Sequence, residues 1–153
     1  MKWLFLKLIP HAAMTATLLV SLGLSTPAAA SAQARLVAFD WALSQEGKPY
    51  IWGGTGPAGY DCSGLVMAAY EHAGIDLPRT TYEMLASPLL VPVAHPRRGD
   101  LAFYGPGHVE LYDGGNTTFG AHETGQAIGF IQFGFGWTPT AYYAVRLYRK
   151  AAA

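Results

Sequence analysis

Tyr60-Asp61-Cys62-Ser63-Gly64-Leu65-Val66 contains the only cysteine of the chain. Asp61 stands where a helix N-cap belongs. The residues after it, to Ala73, are good helix formers, with Leu65, Val66, Ala69 and Tyr70 apolar. Gly74 is a natural residue to end such a helix. The spacing therefore predicts a helix over 62–73 with Cys62 as its first residue. Backbone N–H groups at a helix start lack partners, and with the helix dipole they favour a thiolate over a thiol. The small neighbours Ser63 and Gly64 leave room for a substrate backbone. A buried structural cysteine is the ordinary alternative, but the Asp-Cys-Ser-Gly setting is polar rather than apolar.

Upstream, Ala34 to Gln45 reads as a helix, with Leu36, Val37, Phe39 and Leu43 on one stripe. Gly47 and Pro49 stop it. Tyr50-Ile51-Trp52-Gly53-Gly54 is a short extended piece leading into a Gly/Pro loop over Thr55 to Gly59. Core packing is the ordinary expectation for Trp52. Further upstream, Lys2 and Lys7 form a short basic region, Ala12 to Leu24 is mostly apolar, and Ala30-Ser31-Ala32 fits a cleavage site. This order of features is that of a secretory signal peptide. The apolar run falls short of the roughly 18 residues of a spanning helix. Residues 1–32 are thus expected to be a leader, and 33–153 a single exported domain. No cysteine follows the apolar run, so neither a lipid anchor nor a lasting membrane anchor is expected. A lone thiol in an exported domain has no internal disulfide partner and points to chemistry.

Downstream, Thr80 followed by Glu83 matches a capping box that opens a short helix to about Ala86. After Pro96 the pattern changes to strands: 100–104, 108–112, 118–123, 127–132 and 142–148. Gly105-Pro106-Gly107 and Asp113-Gly114-Gly115-Asn116 supply turns between them. Helices first and a run of strands after them predict an α+β fold with an antiparallel sheet. The first 32 residues taken from 153 leave 121, which suits one domain with one core. Setting Lys2 and Lys7 aside leaves eight basic residues against ten acidic ones. That near-neutral balance offers nothing to a nucleic acid.

A nucleophilic thiol needs a base, and the base needs a group that orients it. His108 is read as opening the strand 108–112, and His122 as lying on the next strand. Adjacent antiparallel strands would set the two imidazoles side by side. His122 would then bond the far nitrogen of His108, fix its tautomer and stabilise its protonated form. His72 and His95 are assigned no role. No histidine pair has metal-ligand spacing, so no metal and no cofactor are expected. By alternation Glu110 shares a face with His108. It is expected to contact substrate amines, to tune the imidazole, or to face solvent at a twisted edge. Gly129 to Trp137, rich in Phe and Gly, is expected to be strand packing rather than a groove wall.

Tyr50-x-Trp52-Gly53-Gly54, Asp61-Cys62-Ser63-Gly64-Leu65, Leu77-Pro78-Arg79-Thr80, Arg98-Gly99-Asp100-Leu101 and His108-Val109 together resemble the NlpC/p-sixty family of bacterial cell-wall cysteine peptidases. The resemblance runs from about Ala34 to Phe130. It implies a papain-like fold, with N-terminal helices on a central antiparallel sheet. It also implies Cys62 as nucleophile, His108 as base, His122 as the third residue, and Tyr50 holding the oxyanion with the Cys62 N–H. Asp61 and Ser63, with Gly64 and Arg79 from the same motifs, are implied to line the substrate groove. The implied substrate is a peptidoglycan stem peptide, cut between D-glutamate and diaminopimelate by a protein acting as a monomer. Where the chain has Glu110, the family usually has a small residue. Alternatives on the same fold are a thiol amidase or acyltransferase, and an inactive wall-binding domain.

Overall fold

The computed structural model describes residues 26–147. Residues 1–25, which carry most of the expected leader, lie outside that range. Three helices precede the long strands: α1 (Pro27–Leu43), α2 (Cys62–His72) and α3 (Thr81–Ala86). The strands are β1 (Leu90–Pro92), β2 (Leu101–Phe103), β3 (Val109–Gly114), β4 (Thr117–Gly120), β5 (Gly129–Gln132) and β6 (Ala141–Val145). They form one sheet in the order β1-β6-β2-β3-β4-β5, and every neighbouring pair is antiparallel. Among the described residues no helix is long and apolar enough to cross a membrane.

α2 is the central element. Leu65, Val66, Ala69 and Tyr70 have no exposed surface, and this face packs on α1 and on β3. The core between helices and sheet is completed by Phe39, Met84, Phe103, Val109, Leu111 and Phe119. Burying apolar side chains of this size is the main favourable term in folding. It fixes where the first turn of α2 lies relative to the start of β3 and the end of β4.

The ends of α2 and α3 follow the expected chemistry. Asp61 caps α2, its Oδ1 accepting from Gly64 N at 2.7 Å. Thr80 and Glu83 form the complete capping box of α3. Gly64 departs from its expected role. It does not open the site to substrate, because it is buried against the preceding loop. A Cβ there would lie 2.1 Å from the Gly54 carbonyl oxygen. No side-chain rotation relieves a backbone clash of that size. Gly64→Ala is therefore expected to cost about 3 kcal/mol or more, read as a fall in Tm or a loss of soluble protein.

Several boundaries differ from expectation. α1 begins at Pro27, seven residues early, because Pro suits the first helical position and the Ala-rich run after it favours helix. The expected cleavage point after Ala32 therefore falls inside α1, where Ser31 Oγ accepts from Leu147 N at 3.2 Å. β1, with Pro92 at its end, was not expected. It lies at the sheet edge, where a proline is tolerated because one side needs no donor. His108 precedes β3 and His122 follows β4, so neither is a strand residue, although the hairpin still aligns them.

Candidate active site

The hairpin β3–β4 sets the geometry. Its register pairs Leu111 with Phe119. Carried back along both strands, it puts Glu110 opposite Gly120 and His108 opposite His122. Alternation sends His108 and Glu110 to the same face as Thr118, Gly120 and His122. Val109, Leu111 and Phe119 point the other way, into the core under the helices, and His108, at the end of this row, is the member that reaches Cys62 at the start of α2.

The Cys62 thiol neighbours the His108 ring closely enough to act on its protonation. Cys62 keeps only 8% of its surface exposed, and that surface opens on the cleft. His108 Nε2 lies 3.0 Å from Glu110 Oε1, and His122 Nδ1 lies 2.9 Å from that same oxygen. The expected imidazole-to-imidazole bond is not formed. Both rings turn to the carboxylate between them, with centroids 5.5 Å apart and planes at 79°. Glu110 neither faces solvent nor reaches a substrate groove, because its side chain is completely buried. Its Oε2 accepts from the Thr118 hydroxyl, which is 3.0 Å from Tyr104 Oη. Gly120 makes the space: a Cβ there would stand 2.7 Å from Glu110 Cγ.

The electrostatics follow from this geometry. Burial alone would lower the pKa of His108. The hydrogen bonds and charges of Cys62 and Glu110 outweigh it and push the ring up to about 9. Burial opposes ionisation of Glu110. The hydrogen bonds from His108, Thr118 and His122 prevail and hold it below the usual carboxylate range. At neutral pH the pair is therefore imidazolium and carboxylate. Burial, followed by the neighbouring Cys62 and Asp61, raises the Tyr50 phenol, so Tyr50 stays a proton donor beside the thiol.

Cys62 lines the floor of a cleft of about 490 Å³ whose other walls include Tyr50, Trp52, Ser63, Arg79 and Tyr82. Asp61 and Ser63 line it too, but their polar atoms are largely occupied. Arg79 grips Asp61 through two bonds, Nη1 to Oδ1 at 3.1 Å and Nη2 to Oδ2 at 2.7 Å, and donates to Ser63 Oγ at 2.9 Å. Gly53 N donates to the same carboxylate at 3.0 Å. This knot ties the start of α2 to the loops on either side of the cleft.

Two aromatic residues are placed differently from expectation. Trp52 is 86% exposed on the cleft rim, because the Gly53-Gly54 turn throws it outward. Trp137 stacks on Tyr104 at 4.5 Å and meets the edges of both imidazoles, at 5.4 and 4.9 Å. It packs over the two imidazoles rather than on a neighbouring strand, while Phe130 of the same segment does pack on Phe119 as expected. Tyr104, Thr118, Gly120 and Trp137 were not anticipated as site residues. A glycine directly opposite a glutamate, in a hairpin that also pairs two histidines, was the available signal for three of them.

The donor atoms of His108, Glu110 and His122 all lie within 4.8 Å of one another, a set able to hold a divalent ion. Each imidazole is instead joined to Glu110 by a hydrogen bond. A chelator is expected to leave hydrolysis unchanged, and inhibition by one would assign the cluster to a metal.

The family model described as the NlpC/P60 family matches residues 47–146. The bifunctional muramidase/DL-endopeptidase CwlT of Bacillus subtilis is 36% identical over 102 residues, which is 61% of this chain and 31% of CwlT. The probable endopeptidase p60 of Listeria monocytogenes is 40% identical over 95 residues, 60% of this chain and 19% of that protein. The chain thus spans less than a third of the length of either relative. The solved peptidoglycan hydrolase RipB of Mycobacterium tuberculosis superposes with a TM-score of 0.67 at 32% identity, covering 80% of this chain and 70% of RipB. The matched segment holds the cleft and every polar residue of the site, and the solved relative shares the arrangement of helices on the antiparallel sheet: the chain belongs to the NlpC/P60 family.

Proposed function

We propose that this protein is an exported cysteine endopeptidase that hydrolyses peptidoglycan stem peptides at the bond between the γ-carboxyl of D-glutamate and diaminopimelate. One observation carries the reading: the thiol at the start of α2, which lines an open cleft, neighbours an imidazole whose Nε2 is held by a buried carboxylate. The named activities of CwlT and RipB support it. Residues 1–32 serve as the leader in this reading.

The chemistry is an acyl transfer in two halves. The Cys62 thiolate attacks the amide carbonyl, and the developing oxyanion accepts hydrogen bonds from the Cys62 backbone N–H and the Tyr50 hydroxyl. The C–N bond breaks as protonated His108 gives its proton to the leaving amine. Water then attacks the thioester, its proton passes to His108, and the acid product leaves Cys62 free. Donors placed for the oxyanion act without rearrangement, which is worth most in a partly water-excluded site.

The test is a pair of synthetic tripeptides, L-Ala-γ-D-Glu-meso-diaminopimelate and its α-linked counterpart. Release of free diaminopimelate from the γ-linked peptide alone is the expected result. Cleavage of an unrelated ester or of a non-peptide amide, with the γ-linked peptide untouched, would assign the fold to an amidase or acyltransferase.

A further inference from the structure

Building on the cysteine-peptidase reading, we infer that Glu110 is the positioning residue of the base, a buried carboxylate whose one oxygen clamps both His108 and His122. The two rings then form a single unit through Glu110, and His122 acts on His108 only through it.

The geometry leaves Glu110 little else to do. With no exposed surface it touches neither solvent nor cleft. An ionised carboxylate only accepts hydrogen bonds, so its two oxygens are filled by two ring N–H groups and the Thr118 hydroxyl. Thr118 is in turn held by Tyr104. An uncompensated buried charge would be costly, and here the compensation is complete. The sequence around it is fitted to the glutamate: Gly120 lacks the Cβ that would collide with Glu110 Cγ. A small residue at 110 would leave both imidazoles without this acceptor.

Two consequences follow. An acceptor-only partner fixes the tautomers, with the proton on Nε2 of His108 and on Nδ1 of His122. Nδ1 of His108 is then the nitrogen left for Cys62. The negative charge also stabilises the imidazolium against deprotonation. The groups around the His108 ring are Cys62 from α2, Glu110 from β3, His122 after β4, Tyr104 before the turn into β3, and Trp137 from the C-terminal loop. Of these, Cys62 and Glu110 supply the charge that raises it.

Glu110→Gln keeps the shape and removes the charge. It is expected to lower kcat by roughly 10²–10⁴-fold with KM within about twofold, since Glu110 is outside the cleft. The alkaline limb of the kcat/KM profile, where the imidazolium is lost as pH rises, should move down by about one pH unit or more. His122→Ala should keep that alkaline limb and retain part of the activity. Unchanged activity and an unmoved limb in Glu110→Gln would overturn the inference. A second measurement needs no turnover. Nitrogen NMR of histidine-labelled Cys62→Ala full chain, at about pH 10 where His108 is neutral, should show N–H on Nε2 of His108 and on Nδ1 of His122. N–H on Nδ1 of His108 would overturn the clamp even if the enzyme acts on some other bond. The expected tautomers in a protein that leaves wall peptides intact would uphold it while the peptidase reading fails.

Discussion

Cys62→Ala is expected to abolish hydrolysis, with kcat/KM falling on the order of 10⁵–10⁶-fold, while the protein stays folded. The loss is that large because the covalent route has no substitute: the same cleft, oxyanion donors and imidazole remain, but no atom attacks the carbonyl. The small stability effect follows from position. Cys62 is the first residue of α2, ahead of the Leu65–Val66–Ala69–Tyr70 face that carries the core contacts. Removing one sulfur atom there should cost about 1 kcal/mol. A fall in Tm of more than about 10 °C would show Cys62 to be a packing residue instead.

His108→Ala is expected to lower kcat by about 10⁴-fold. On the proposed mechanism two functions go together: stabilisation of the thiolate and donation of a proton to the leaving amine. This substitution also reaches stability. It deprives the buried Glu110 of one of three partners, which should cost about 2 kcal/mol and lower Tm by about 5–10 °C. The pH dependence has a definite sign. Glu110 is held below its ordinary range in the folded protein. Its contribution is thus present above the ordinary carboxylate pKa and lost as pH falls through the folded value. Weakening its hydrogen-bond set narrows that stabilisation, so His108→Ala should unfold at a higher pH than the parent on acid titration. Full activity in His108→Ala would remove it as the base.

Much of the fold was legible because local and tertiary preferences agree. The α2 cap, the α3 capping box and the order of helices and strands are all short-range signals, and each is formed. β1 was not legible, since a three-residue edge strand has too little pattern to register and depends on β6 for its existence. The early start of α1 was hidden by its likeness to the small-residue end of a leader. Both rest on Ala, Ser and Pro in the same few positions.

In the candidate site, the grouping of Cys62, His108 and His122, with Tyr50 beside the thiol, follows the expectation from chemistry and resemblance. Their hydrogen-bond connections were not legible. Side-by-side histidines on a hairpin suggest a direct bond, but the pairing line also carries Glu110 opposite Gly120, and a buried carboxylate attracts two imidazoles more strongly than they attract each other. Trp52 was misread for a related reason. Composition favours burying a tryptophan, whereas a Gly-Gly turn behind it exposes it on the cleft rim. Gly64 illustrates the reverse: a small residue beside a nucleophile suggests access, yet the carbonyl of Gly54 fills the space.

The central claim is that the thiol of Cys62 cleaves wall peptide. Digestion of purified diaminopimelate-type peptidoglycan by the protein and by Cys62→Ala, with mass spectrometry of the soluble fragments, tests it most directly. Fragments ending at D-glutamate, released by the parent and absent with Cys62→Ala, are the predicted result. Equal fragments from both proteins, or none from either, would contradict it.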